Sequence, residues 1–349
     1  MNNIMWPFIL KVSQKAAIFS AKFIGKGDNI EADRAAVTAM RDELNKLPFH
    51  FKVVIGEGER DNAPMLFIGE TLGKKKPIKN TNIIEEFEGV NNCHSEWHIA
   101  VDPLEGTNLC SKNLPGAITA ISITEKGGIF SSPDIYMLKL AVGPEVIIDD
   151  LSFELSIYDL ISIIAHSKNI KHSEVTIAVL ERDRHNILID QIYNSNARVK
   201  LLPDGDLAAC IATCLPWTGI DAYVGIGGAP EGVISASAIK ILGGFMIGRL
   251  MLNDKINNKI NNCSNTDFKN LRINSIDYRE FSFISDEKNI NDLVPGKNIT
   301  VVISGVTDGY ILDGVKILKL DNINSIFEVN SVVFSTDLDG IMNVRSQFK

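Results

Sequence analysis

Val101-Asp102-Pro103-Leu104-Glu105-Gly106-Thr107 closes the apolar run His98-Ile99-Ala100-Val101 and packs two carboxylates into one short stretch. The run predicts a strand that delivers Asp102 at its carboxyl end. Pro103 stiffens the turn that follows, Glu105 returns a second carboxylate, Gly106 lets backbone N–H groups approach an anion closely, and Thr107 adds a hydroxyl. Carboxylates beside an anion cradle repel phosphate unless divalent cations stand between them. Hard oxygen donors of this kind suit Mg²⁺ or Mn²⁺, which keep some of their waters and take further ligands from a phosphate. Read alone, an Asp and a Glu in a Pro/Gly turn are also ordinary turn formers. What separates the two readings is whether more acids gather at similar places.

They do. Phe51-Lys52-Val53-Val54-Ile55 predicts a second strand, and the residues from Val54 to Met65, VIGEGERDNAPM, place Glu57, Glu59 and Asp61 on alternate positions directly after it. A helix is expected next, with Asp61 as its cap, Pro64 in its first turn and Gly73 near its end. Upstream, EADRAAVTAMRDELNKL reads as a helix whose inner face carries Asp33, Val37, Met40, Leu44 and Leu47. An acid on an apolar face is costly without a cation, although Asp33 also lies near enough to the helix start to serve the macrodipole. Glu231 follows Gly227-Gly228-Ala229-Pro230 in the first turn of another expected helix, where the same two readings apply.

The chain has 349 residues, enough for one large domain or two ordinary ones. Its hydrophobic content of 45% and charged content of 22% are those of a globular protein, and a net charge of −8 argues against nucleic-acid binding. Five cysteines without a CxxC pair suit a reducing cytoplasm better than a disulfide framework. Cys210 and Cys214, four apart on an expected helix, read as core. No apolar run is long enough to span a membrane. Near the start, Phe8, Val12, Ala16, Phe19 and Phe23 recur at helical spacing and predict one buried stripe, not a targeting leader.

From Ala117 to Ile148 the runs AITAISI, YMLKLAV and EVIID suggest antiparallel strands. After Glu174, strand-like VTIAVL, RVKLLP and DAYVGIG alternate with helical RHNILIDQIYNSN, DLAACIATCL and PEGVISASAIKIL, which implies crossover units on a largely parallel sheet. A boundary near Leu151–Leu155 follows, dividing an N-terminal α+β part, 1–150, from a C-terminal α/β part, 151–349. Lys74–Ser95 and the Asn-rich Asn253–Asn270 read as surface loops, and ITVVISG and SVVFSTD as late strands.

The string Asp102-Pro103-Leu104-Glu105-Gly106-Thr107 resembles the D-P-[LI]-[DE]-G-T element of the lithium-sensitive, metal-dependent sugar phosphatases, which include inositol monophosphatases and fructose bisphosphatases. With GEGERDNAPM before it and LLPDGD and GIGGAPEG after it, the chain from about Phe8 to Gly340 resembles class II fructose-1,6-bisphosphatase, the GlpX type. The resemblance implies an α/β fold of layered helices and sheets. It implies metal ligands at Asp33, Glu57, Asp102, Glu105 and Glu231 for two or three Mn²⁺ or Mg²⁺ ions. It further implies substrate contacts from Glu105, Gly106, Thr107, Tyr136, Arg182, Asp183, Arg184, Asp204, Gly205, Asp206 and Gly228. Arg182 and Arg184 would clamp the phosphate that is not cleaved, and Asp204 and Asp206 would accept from sugar hydroxyls. Thr107 would orient the attacking water, with Glu59 or Asp61 as base.

The implied reaction is hydrolysis of the 1-phosphate of fructose 1,6-bisphosphate, a step of gluconeogenesis, by a cytoplasmic homodimer or homotetramer that needs neither nucleic acid nor membrane. Sedoheptulose 1,7-bisphosphate as a second substrate, and a non-catalytic sugar-phosphate-binding protein, are the alternatives. Inositol and nucleotide phosphatases lack GEGERDNAPM and GGAPEG in this form. Three features depart from the pattern: Asp183 stands between the two arginines, Asn29 replaces a basic residue found in some relatives, and Lys74–Ser95 is long.

Overall fold

The computed structural model describes residues 5–58, 65–74, 96–148, 151–253, 281–319, 325–338 and 340–349. Glu59, Asp61 and Pro64, nearly all of the Lys74–Ser95 segment, and the Asn-rich stretch beyond Asn253 lie outside them. The described chain forms two compact units, 1–131 with 295–349, and 132–294.

In the first unit, helices α1 (Trp6–Ala21) and α2 (Asn29–Leu44) pack with an eight-stranded sheet. Its strands are β1 (His50–Ile55), β2 (Thr71–Leu72), β3 (Glu96–Glu105), β4 (Ile118–Glu125), β12 (Ile299–Gly305), β13 (Lys316–Lys319), β14 (Ser325–Ser335) and β15 (Ile341–Phe348). Their order is β13-β14-β12-β4-β3-β1-β2, with β15 against β14. Only β1 and β3 run parallel among the described pairs. The boundary expected near residue 151 therefore moves. The late strand β12 lies antiparallel to β4, and this ladder returns the C-terminal segment to the first unit.

Helix α1 is buried on more than the single stripe its pattern predicts. Val12 and Ala16 are core, but Phe19 is 41% exposed, while Ser13 and Gln14 are buried. The polar pair is satisfied across layers. Ser13 lies 2.6 Å from the Thr119 hydroxyl and 2.8 Å from that of Ser304, and the Gln14 amide donates to Ser331 and Ser346 at 3.2 and 3.0 Å. Apolar periodicity is blind to a helix face that is buried through hydroxyls.

The helix expected after β1 is absent from its described part. Met65–Gly73 instead runs back along β1. The Glu57 N–H donates to the Leu66 carbonyl at 3.1 Å, Val53 N–H to Glu70 at 2.9 Å, and Gly69 N–H to Val53 at 2.8 Å. Buried Glu70 accepts from the Leu66 N–H and from Arg41, so the turn is held from both sides. These backbone groups are spent on β1 and cannot close helical turns.

The second unit holds a seven-stranded sheet, β10-β9-β5-β8-β6-β7 with β11 beside β9. Its strands are β5 (Tyr136–Val142), β6 (Thr176–Leu180), β7 (Arg198–Leu202), β8 (Ala222–Gly228), β9 (Phe245–Asn253), β10 (Phe281–Phe283) and β11 (Lys288–Asn289). β6 is parallel to β7 and β8, as the strand–helix alternation predicts, whereas β5 is antiparallel to β8 and β9. The sheet is thus mixed. AITAISI and YMLKLAV, read as neighbours, belong to different sheets, and EVIID forms no strand over its described residues. Helix α4 (Ile157–Lys168) precedes β6, and α5 (Asn186–Asn194) connects β6 to β7. Helix α6 (Leu207–Ala212) follows β7, and α7 (Ala229–Ile241) follows β8. Cys210 and Cys214 are buried, as expected of core residues.

A Cβ added at Gly56 would lie 2.0 Å from the Leu66 carbonyl oxygen that receives Glu57. Gly56→Ala must push this turn away from β1, and overpacking of this kind costs about 1–3 kcal/mol. Denaturant unfolding of the variant should show that loss.

Candidate active site

The first unit brings its acids to the ends of β1 and β3 and to the first turns of α2. Asp28 caps α2 by accepting from the Glu31 N–H at 3.0 Å, and Asp33 follows on a half-buried face. Burial pushes the Asp33 carboxyl up from 3.8 to about 6. Among the described residues no hydrogen bond or ion pair offsets that cost. A cation would.

Asp102 does not end its strand. β3 continues to Glu105, and the register with β4 slips, so that Asp102 faces Ala120 while Glu105 faces Ile118. The extra residue makes a bulge, which is where a strand tolerates a proline that has no N–H to give. The bulge re-aims two side chains. Asp102 and Glu105 offer carboxylate oxygens within 4.8 Å of each other, and Glu105 is buried. Asp102 also accepts from the Leu104 N–H at 3.2 Å. Gly106, at φ +77°, then turns the chain into the short helix α3 (Thr107–Ser111), so that Thr107 follows the pair directly in the chain. An added Cβ at Gly106 would meet the Leu109 side chain at 2.8 Å.

The second unit brings together the ends of β5, β6, β7 and β8. Gly228 precedes α7 in extended conformation, and Pro230 and Glu231 occupy the first turn of that helix. The Oε2 atom of Glu231 is buried without a hydrogen-bond partner among the described residues. Burial raises this carboxyl above its ordinary range, with Lys139 opposing the shift and Asp206 and Asp134 adding to it. An orphaned carboxylate oxygen is the atom a metal ion would take, so the donors present fit a hard divalent cation.

The two arginines differ. Arg182 donates to the carbonyls of Glu181 and Pro203, both at 2.8 Å, and to Asp204 at 3.2 Å, which commits it to the turn before α6. Arg184 donates once, to the Ile226 carbonyl at 2.7 Å, lies 5.5 Å from the Tyr136 ring centre, and keeps a buried Nε with no partner among the described residues. Arg184 is therefore the better anion ligand. Asp183 is exposed, so the charge that departs from the family pattern is solvated.

His185 braces this corner. Its Nε2 accepts from the Ile226 N–H at 2.9 Å, so Nδ1 carries the proton and donates to the Leu180 carbonyl at 2.7 Å. Burial lowers its pKa to about 4 and keeps the ring neutral.

Asp206 departs from the expected acceptor of sugar hydroxyls. It is 3% exposed, and both oxygens are engaged by Lys139 and Tyr223. Asp204 is half-buried and Gly205 has φ +70°, so the accessible part of this turn is Asp204-Gly205. Sequence reasoning passed over Lys139, Tyr223 and His185. The available signal was a lysine inside the apolar run Tyr136–Val142.

A family model described as bacterial fructose-1,6-bisphosphatase, glpX-encoded, matches residues 3–347. The chain belongs to this family. It is a hydrolase of the phosphatase class, and the layered α/β fold expected from the resemblance is the fold observed. Relatives named D-fructose 1,6-bisphosphatase class 2/sedoheptulose 1,7-bisphosphatase agree over most of its length. The one from Thermosynechococcus vestitus is 37% identical over 326 residues, covering 91% of this chain and 90% of the relative. That from Synechococcus sp. (strain JA-2-3B'a(2-13)) is 39% identical, covering 90% and 88%, and that from Nostoc sp. (strain PCC 7120) is 38% identical, covering 90% and 89%. Among the described residues no helix is long and apolar enough to cross a membrane.

The raised pKa of Asp33 carries a signed consequence for the metal-free protein. Folding favours its protonated form, so stability is fully present below 3.8 and is lost as pH rises through about 6. With each unit equal to 1.36 kcal/mol, the ceiling is about 3 kcal/mol, and solvent access to this half-buried group reduces it. Asp33→Asn should therefore stabilise the chelator-treated protein by about 1–2 kcal/mol at pH 8 and by nothing at pH 3. Urea unfolding at both pH values checks this.

Proposed function

We infer that the protein hydrolyses the 1-phosphate of fructose 1,6-bisphosphate, yielding fructose 6-phosphate and phosphate, as a cytoplasmic enzyme of gluconeogenesis. The observation that carries this reading is the carboxylate pair Asp102 and Glu105 on a strand bulge, followed at once by the Gly106-Thr107 turn. Asp33, Glu57, Asp102, Glu105 and Glu231 hold two or three Mn²⁺ or Mg²⁺ ions, which when bound neutralise phosphate charge and polarise the phosphoryl oxygens.

The chain's own residues do the rest. The Thr107 hydroxyl orients a water for in-line attack on phosphorus, and Glu59 or Asp61 takes its proton. As the new O–P bond forms, the bond from phosphorus to the sugar C1 oxygen breaks. Arg184, with Tyr136 beside it, fixes the phosphate that stays, and Asp204-Gly205 and Gly228 border the sugar. A homodimer or homotetramer is the assembly in keeping with this reading.

In Asp102→Ala or Glu57→Ala, phosphate release should disappear while circular dichroism stays that of the wild type. Wild-type-like turnover in either variant would sink the assignment. Thr107→Ala misplaces the nucleophile, an error worth about 10²-fold, and should lower kcat by that order with little change in KM. The names of the relatives are equally compatible with sedoheptulose 1,7-bisphosphate as a second substrate. Side-by-side kcat/KM values on the two bisphosphates decide it: within tenfold of each other supports dual activity, and a much larger gap rejects it.

A further inference from the structure

Lys139 stands in the middle of β5, has no exposed surface, and opposes Gly225 of β8. Burying an ammonium costs several kcal/mol unless every proton finds an acceptor. Here each does. The Lys139 Nζ lies 2.7 Å from Asp206 Oδ1, 2.6 Å from Oδ2 and 2.8 Å from the Gly228 carbonyl. Tyr223, also fully buried, donates to Asp206 Oδ2 at 2.6 Å.

The glycines around this joint are shaped to it. A Cβ at Gly227 would lie 2.0 Å from Asp206 Oδ2 and 3.0 Å from the Lys139 Nζ, and one at Gly228 would lie 1.9 Å from Glu231 Oε2. Gly232, in the next turn of α7, meets the Lys139 stem at 3.1 Å in the same sense. The lysine thus fills a space that Gly227 and Gly232 leave open, while Gly228 leaves room for Glu231. It connects two chain segments that no backbone ladder joins: the Asp204-Gly205-Asp206 turn before α6, and the Gly228 end of β8 from which α7 presents Glu231. Burial works against the charge, but Asp206, Cys210 and Glu231 more than offset it, and the ammonium persists.

We propose that Lys139 is a positioning residue for the phosphatase reaction, tying the Asp204–Asp206 turn to the Gly228 carbonyl so that both substrate-contacting segments are preorganised. Asp206 then acts through the joint, and Asp204-Gly205 and Gly228 meet the sugar. This inference rests on the bisphosphatase reading given above. A lysine serving stability alone would leave substrate affinity unchanged in any variant that folds.

The test measures kcat and KM for fructose 1,6-bisphosphate at saturating Mn²⁺, the Mn²⁺ concentration for half-activation, and the melting temperature, in Lys139→Met and Tyr223→Phe. Tyr223→Phe removes one hydroxyl from the far side of Asp206, keeps the ring, and decides the question by itself if Lys139→Met does not fold. Loosening a positioned contact costs up to about 10²-fold. We expect KM to rise at least about tenfold in Lys139→Met and about threefold in Tyr223→Phe, with kcat less affected and more Mn²⁺ needed in the former. Folded variants whose melting temperature falls while KM stays within about 1.5-fold of the wild type overturn the proposal. Absence of metal-dependent turnover in the wild type overturns the bisphosphatase reading, and this inference with it.

Discussion

Carboxylates held close together repel one another, and a carboxylate taken out of water without a partner pays its full desolvation cost. That pair of constraints organises both units of this protein. In the first, a bulge in β3 turns Asp102 and Glu105 toward one another, while Asp33 sits on a half-buried helix face with its proton affinity raised. In the second, Glu231 keeps a buried oxygen with no partner among the described residues. A divalent cation bound at these groups would offset each cost.

The surrounding structure holds these groups in place. Glu57 stays at the end of β1 because the Met65–Gly73 segment spends its backbone hydrogen bonds there, with Glu70 and Arg41 securing the turn. On the other unit a buried ammonium, a tyrosine hydroxyl and a neutral histidine lock the strand ends that carry the remaining candidates. Positioning of this sort is what phosphoryl transfer requires, since the reaction asks for alignment and charge stabilisation more than for covalent chemistry.

Much of this was legible in the sequence. DPLEGT marks the junction of β3 and α3, and GGAPEG the start of α7, through glycine, proline and acid at fixed offsets, and these are local signals. The strand–helix alternation after Glu174 likewise predicted parallel β6, β7 and β8. What escaped was non-local or polar. The pairing of β12 with β4 moves the tail into the first unit, and the Ser13–Thr119–Ser304 hydroxyls bury a helix face without apolar residues. The helix expected after Asp61 failed over Met65–Gly73 because tertiary bonds to β1 outweighed local capping signals. Asp206 looked like a surface turn acid because its partner, Lys139, lies 67 positions away.

The central claim, that this acid set serves metal-dependent phosphate release, is tested most directly by assaying phosphate liberated from fructose 1,6-bisphosphate by chelator-treated protein titrated with Mn²⁺ or Mg²⁺. The account predicts no release in chelator and a saturable rise with either ion. Turnover that persists in excess chelator, or a protein that binds the bisphosphate yet releases no phosphate at any metal concentration, would contradict it.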